Sequence, residues 1–331
     1  GPEDVILDRA GRVYAGTRQG WILRFSGDHF ETRELFARTG GRPLGLAFDR
    51  DDNLIVCVSG MGLYGVHPDG EVFKITDQTN RSWFRIVDDS RLRLTDDLDI
   101  GADGKIYFSE ASTRFGVENW PVDGLEARGT GRLVCHDPAT KRTRTLIRDI
   151  RFCNGVCVAH DNRSVLYCET FGLRLMRYWI AGPKQGRTEA VIDNLPGHPD
   201  NINRASDGGY WLALVGMRAP VYDVAMRHPG FRMRMIKRLP TDEWLIAGVN
   251  NGCIVKLDAN GQPLTSYWDP GGKSHATLTS MREHRGYLYL GGLENNRIGR
   301  VELEGADPDW VSSECYWGRR GDPASGAATT R

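Results

Sequence analysis

The chain has 331 residues, 40% hydrophobic and 26% charged, with 43 Lys and Arg against 43 Asp and Glu. This is the composition of an ordinary soluble globular protein long enough to bury a large core, and zero net charge removes any global electrostatic drive toward nucleic acid or an anionic surface. No run reaches the roughly 18 apolar residues that span a bilayer, so no transmembrane segment is expected.

Taken in chain order, one phrase recurs, an apolar strand, a polar turn holding Asp or Gly, and a second strand bearing Tyr or Trp. Asp4 to Leu7 leads into DRAGRVYAG at Asp8, and Leu44 to Phe48 into DRDDNLIVCV at Asp49. Leu98 to Ile100 leads into GADGKIYFSE at Gly101, and Val156 to Ala159 into HDNRSVLYCE at His160. SDGGYWLAL at Ser206 and EHRGYLYLGG at Glu283 complete six copies. Such turns between apolar strands are hairpin signals. A second hairpin follows in most units, as in GLYGVHPDGEVFKI, GRLVCHDPATKRTRTLI and CIVKLDANGQPLTSYW.

Four antiparallel strands per unit of about 40 to 50 residues make a propeller blade, so the sequence predicts an all-β, six-bladed β-propeller. Two insertions interrupt it, at about 114–131 and 215–240. The second has a helical pattern in which Met226, Met233 and Met235 lie among Arg227, Arg232, Arg234, Lys237 and Arg238. It reads as a lid with a solvated basic face, the sharper alternative being a helix that faces a membrane or a partner. Phe115, Trp120 and Tyr222 are insertion aromatics within reach of a pocket. One domain over 1–318 is expected, with a disordered tail over 319–331 and a sixth blade closed by a strand from the other terminus. Seven cysteines, at 57, 135, 153, 157, 168, 253 and 315, are too scattered for a disulfide framework. They read as buried thiols and favour a cytoplasmic protein over a periplasmic or secreted one.

The sequence has no G-x-S-x-G, H-E-x-x-H or Walker A motif. Instead, four units open with an acid or amide ahead of the innermost strand: Glu3, Asp96 and Asp97, Asn154, and Asp200 and Asn201. Innermost strands line the central channel, so these oxygens converge on one mouth. Without a cation they would repel one another and lose solvation. A hard ion resolves both costs, with Ca²⁺ first and Mg²⁺, Mn²⁺ or Zn²⁺ as alternatives. Taken singly, each residue is as well explained by a side-chain-to-backbone turn. Cys153, Cys157 and Cys168 near Asn154 invite zinc, but strand alternation turns the neighbours of Asn154 away from the channel.

The ordered succession GPEDV, GRPLGLAFD, TDDLDI with KIYFSEASTRF, NGVCV, LPGHPDNINRASDGGYWLAL and EHRGYLYLGGL resembles the strictosidine synthase-like six-bladed propellers, related to gluconolactonases (senescence marker proteins) and paraoxonases. The resemblance implies a divalent metal held by Glu3, Asp96, Asn154 and Asp200, with Asp97 and Asn201 as second-sphere or direct contacts. Three family positions depart. The third-blade ligand, usually Asn, is Asp96 here, which keeps an oxygen donor and adds charge. The catalytic Glu of true strictosidine synthases falls on Thr279, which argues against alkaloid condensation. The active-site His of paraoxonases falls on Leu44.

A metal in a water-filled channel makes hydrolysis the natural reaction. By resemblance the small-molecule substrate is a lactone or aryl ester, with phosphotriesters as a side activity. Asp200 is the first candidate base, followed by His198 and His275; His67 and His136 adjoin turns and are expected to be exposed. The alternative is a non-catalytic propeller that binds a ligand or partner around a structural ion. The sequence sets no oligomeric state.

Overall fold

Each recurring turn folds as the hairpin between the first and second strands of a blade, and in blades 1 to 5 an Asp is the reason; the sixth turn, at Arg285 and Gly286, has none. Asp8, Asp49, Asp103, Asp161 and Asp207 each accept a hydrogen bond at 2.8–3.1 Å from a backbone N–H two or four residues on, which closes the turn with a side chain. The computed structural model describes residues 1–314 except 28, 85, 239 and 241–250. It is a mainly-β six-bladed propeller, with five four-stranded sheets and, among the described residues, one three-stranded sheet. The innermost strands are Val5–Leu7, Pro43–Phe48, Leu94–Ile100, Cys153–Val158, Gly197–Arg204 and Leu278–His284.

The apolar runs are explained by burial on both faces of the inner strands. Ile6 and Tyr14 of blade 1 pack with Leu46 and Val56 of blade 2, and Ile55 and Cys57 of blade 2 pack with Leu98 and Phe108 of blade 3. The core is thus distributed between neighbouring blades around the ring.

The expected strand exchange does not occur among the described residues. Blade 1 takes all four strands from residues 5–38, and blade 6 consists of Leu278–His284, Tyr287–Gly292 and Gly299–Glu302. Because the N-terminal run supplies a complete sheet, blade 1 leaves none of its strands to complete blade 6. The ring closes on the residues just ahead of it: Gly292 N–H donates to the Pro2 carbonyl (2.7 Å), Thr279 Oγ1 to the Glu3 carbonyl (2.5 Å), and Arg282 pairs with Asp4 (3.1 Å).

An innermost strand runs away from the face on which it starts. Connections between second and third strands, and between an outer strand and the next blade, therefore share that starting face. Both insertions are of the first kind and carry helices: α1, Trp120–Glu126; α2, Pro220–Arg227; and α3, Pro229–Arg238. A proline at the start of α1 and of α2 fits a position whose N–H has no helical partner. The expected bounds shift because strands reach into them. Gly131 opens the strand Gly131–Asp137, and residues up to Met217 belong to Tyr210–Met217. The expected tail 319–331 and Cys315 lie outside the described residues.

The inner strands of blades 4 and 5 approach so closely that only glycine fits between them. A Cβ on Gly155 would stand 2.3 Å from the Asp200 carbonyl oxygen and 2.6 Å from the Asn201 Cα. Gly155→Ala should therefore cost about 3 kcal/mol, the upper end of ordinary overpacking, because backbone must yield. An unchanged thermal midpoint in that variant would contradict the packing.

Candidate functional site

The site is made by one irregularity repeated around the ring. In blade 3, Thr95 pairs with Glu110 and Leu98 with Phe108, so Asp96 and Asp97 share the single residue Ser109. The same two-against-one bulge places Leu44 and Gly45 in blade 2, Asn154 and Gly155 in blade 4, and Asp200 and Asn201 in blade 5. In blade 6 the extra residue is Thr279. A bulge re-aims a side chain out of the pleat. The first bulge residues, Leu44, Asp96, Asn154, Asp200 and Thr279, all line one cavity of about 60 Å³ at the channel mouth, joined there by Glu3.

The second bulge residues join the blades. Asp97 Oδ2 accepts the Val156 N–H (2.7 Å), and Asn201 Nδ2 donates to Glu3 Oε1 (3.2 Å). Gly45 lies against Asp97, where a Cβ would come within 2.6 Å of its Cα. Asp4, next to Glu3, does the same work by accepting the Leu46 N–H at 3.0 Å.

Glu3, Asp96, Asn154 and Asp200 are between 5% and 6% exposed. Glu3 Oε2, Asn154 Oδ1, Asp200 Oδ1 and Asn201 Oδ1 have no hydrogen-bond partner. Burial, reinforced by Asp96 and Asp200, pushes Glu3 well above the carboxylate range. Burial pushes Asp96 up to about 7 despite Arg42. Asp200 is raised by burial and by the charges of Asp96 and Asp97, partly offset by the Asn154 amide beside it. Orphaned, buried, mutually repelling oxygens are a donor set suited to a hard divalent cation. Among the described residues no three His, Cys, Asp or Glu side chains stand at metal-ligand spacing. The donors share a cavity without yet closing on one point.

No histidine is in the cavity wall. His198 lies one layer out, with Nδ1 3.2 Å from the Thr170 carbonyl and its ring between Phe171 and Tyr222. Donation to that carbonyl puts the proton on Nδ1, and burial lowers its pKa, so the imidazole is neutral at pH 7. His275 belongs to the connection ahead of blade 6, where its N–H donates to Asp269 Oδ2 at 2.6 Å. The two histidines expected to be exposed are not. His136 is 5% exposed with Nδ1 2.9 Å from Thr143 Oγ1, and His67 is half-buried on Phe73. The neighbouring strands of each blade cover these ring positions even though the turns beside them are polar.

Six cysteines among the described residues are buried free thiols. Desolvation pushes Cys57, Cys153 and Cys168 well above the thiol range, so they stay protonated.

The helices cover the cavity. Val117, Trp120 and Tyr222 pack on Leu44, Leu94, Phe152 and Phe171, and the Tyr222 hydroxyl donates to the Phe171 carbonyl at 2.8 Å. Trp120 reaches the wall, as expected of an insertion aromatic, whereas Phe115 and Tyr222 do not. Phe152 and Thr170 are wall residues with no sequence signal. Phe152 holds a left-handed backbone (φ 63°), a conformation costly for a bulky residue and tolerated where surrounding structure enforces it.

The family model for strictosidine synthase matches residues 96–183, and that for the strictosidine synthase-like N-terminal region matches residues 1–25. Protein STRICTOSIDINE SYNTHASE-LIKE 6 of Arabidopsis thaliana is 31% identical over 306 residues, covering 91% of this chain and 79% of the relative. The adipocyte plasma membrane-associated protein of Salmo salar is 31% identical over 323 residues, covering 92% and 76%. Among solved structures, the calcium-binding protein regucalcin of Agrobacterium tumefaciens aligns with a TM-score of 0.60 at 13% identity, covering 94% of this chain and 93% of that one. A gluconolactonase of Xanthomonas campestris aligns at 0.60 and 13%, covering 89% and 82%. At such identity these two likenesses are of fold.

Proposed function

We propose that this chain, which belongs to the strictosidine synthase-like family, hydrolyses lactones or aryl esters at the channel-mouth cavity with a divalent cation, calcium in the first instance. The observation that carries the reading is the bulge-built set of Glu3, Asp96, Asn154 and Asp200, nine-tenths buried and left with orphaned oxygens. The bulges of blades 2 and 6 carry Leu44 and Thr279, so neither a histidine shuttle nor a glutamate is available at those positions. The names of fold relatives, a gluconolactonase and a calcium-binding protein, agree with the reaction class and the ion.

These four residues would hold the ion, which when bound supplies Lewis-acid polarisation of a carbonyl and a lowered pKa for water. The chain's own contributions are distinct. Asp200 Oδ1, which has no hydrogen-bond partner, would accept the proton of an attacking water. Leu44, Leu94, Trp120 and Phe152 offer an apolar wall for an acyl or aryl group and exclude bulk water. His198 stands behind the wall as a neutral imidazole held between Phe171 and Tyr222.

A second reading has its own support. A cavity of about 60 Å³ is well below the roughly 300 Å³ and upward of small-ligand pockets. A propeller that keeps a structural ion and binds a partner needs no larger space. The readings part in one experiment, in which chelator-stripped protein and protein restored with calcium, magnesium, manganese or zinc are assayed against lactones and aryl esters. Turnover should appear only with restored metal. Activity that persists in verified metal-free protein would overturn the hydrolase reading, and stabilisation by metal without turnover on any substrate would favour the binding propeller.

A further inference from the structure

The face that carries the cavity also carries an apolar projection that the proposed chemistry does not use. In the connection from blade 2 to blade 3, Trp83, Phe84, Ile86 and Val87 are 94%, 100%, 98% and 78% exposed. The loop is closed at its base: Thr79 N–H donates to the Ser90 carbonyl (2.8 Å), Ser82 N–H to Asp89 Oδ1 (3.0 Å), and Arg132 to the Asp89 carbonyl (2.7 Å). A loop tied at its base holds four large apolar side chains out in water. Solvent disfavours this arrangement, and it marks a surface that meets something apolar.

On the same face, across the cavity, α2 and α3 expose Val221, Val224 and Phe231. They also expose Arg227, Arg234, Lys237 and Arg238, and over 220–238 Asp223 is the only acid. In a chain of zero net charge this helix pair is a concentrated cationic patch. An apolar tip beside a basic amphipathic helix pair matches the chemistry of a bilayer surface, with acyl chains for the tip and anionic headgroups for the cations. The apolar residues project rather than line a groove, which suits insertion better than capture of a partner's side chain.

We infer that this face docks on an anionic lipid surface, with the side chains of Trp83, Phe84, Ile86 and Val87 inserted at the headgroup boundary and α2–α3 held by headgroup charge, so that the covered cavity opens at the membrane interface. No helix among the described residues is long and apolar enough to cross a membrane, and docking of this kind requires none. The inference stands on surface residues alone and is independent of the hydrolase reading.

The test is co-sedimentation with vesicles of phosphatidylcholine alone and of phosphatidylcholine with one-third phosphatidylserine. The protein should sediment with the anionic vesicles at low ionic strength, much less with the neutral ones, and be released by salt. The triple variant Trp83→Ala, Phe84→Ala, Ile86→Ala should lose about tenfold or more of the bound fraction with an unchanged thermal midpoint, because those side chains are exposed. Should that variant misfold, Arg227→Glu with Arg234→Glu on the helices should give a comparable loss. Wild-type protein that stays in the supernatant with anionic vesicles overturns the proposal. So does sedimentation unaffected by either variant, or a tip variant that changes self-association while leaving vesicle binding intact.

Discussion

In metal-free protein the thermal midpoint should fall as pH rises from about 4 to about 7, and calcium should remove most of that fall. Burial raises the folded-state pKa of Glu3, Asp96 and Asp200, and reaches about 7 for Asp96. A carboxyl held above its unfolded value near 3.9 favours the folded state while protonated, so its stability is complete below that value. The contribution is lost as pH climbs through the folded value, over on the order of a few kcal/mol for the group. A bound cation replaces the protons and reverses the penalty; at about 100 times its dissociation constant it adds roughly 2.7 kcal/mol. Asp200→Asn gives an opposed pair of effects. Removing one repelling charge should raise the midpoint of the metal-free protein at neutral pH, yet abolish most of the calcium increment and, under the proposed hydrolytic function, lower turnover about 100-fold or more. Scanning calorimetry with and without calcium reads both effects. A metal-free midpoint that rises with pH, or a calcium increment intact in Asp200→Asn, would sink the cation assignment.

Arg132→Leu should lower the midpoint by about 4–7 °C, the consequence of about 3–5 kcal/mol for breaking a buried ion pair in a chain of this size. Arg132 and Glu110 are 1% and 0% exposed and hydrogen-bonded to each other, and Glu110 Oε1 also accepts the Arg93 N–H at 2.6 Å. Removing the guanidinium leaves a carboxylate without its charge partner where water cannot reach. The double variant Arg132→Leu with Glu110→Leu should recover much of the loss, since the penalty is the orphaned charge rather than the value of the pair. Arg132 also donates to the Asp89 carbonyl at the base of the exposed loop, so the single variant should increase hydrogen exchange across 81–90. A single variant as stable as the parent would show that the charge finds another partner.

How much of this was legible follows from range. The hairpin turns were, because an Asp closing its own turn is a local arrangement, complete within four residues. So were the six blades, because a repeated phrase multiplies a weak local signal. The four oxygen donors were found by their common place in the repeat and by resemblance, and the structure sets them in one wall. Zero net charge removes only a global drive toward anionic surfaces; the basic face of the second insertion is legible in the local cluster of Arg227, Arg234, Lys237 and Arg238, which the chain-wide average hides.

What the sequence by itself determined is the period, the strands, the insertions and the identity of the buried acids, all of which depend on neighbours along the chain. Tertiary structure alone decided that each donor sits in a bulge, because a bulge is a mismatch between two strands and belongs to neither. It decided that Gly45 and Gly155 are spacers between blades, that Phe152 and Thr170 reach the cavity, and that His136 is covered. Closure was decided there too, by residues at opposite ends of the chain, as Thr279 with Glu3 and Arg282 with Asp4 are 276 and 278 positions apart. Contacts at that separation form only once the intervening blades have fixed where the ends meet, and no local preference encodes them.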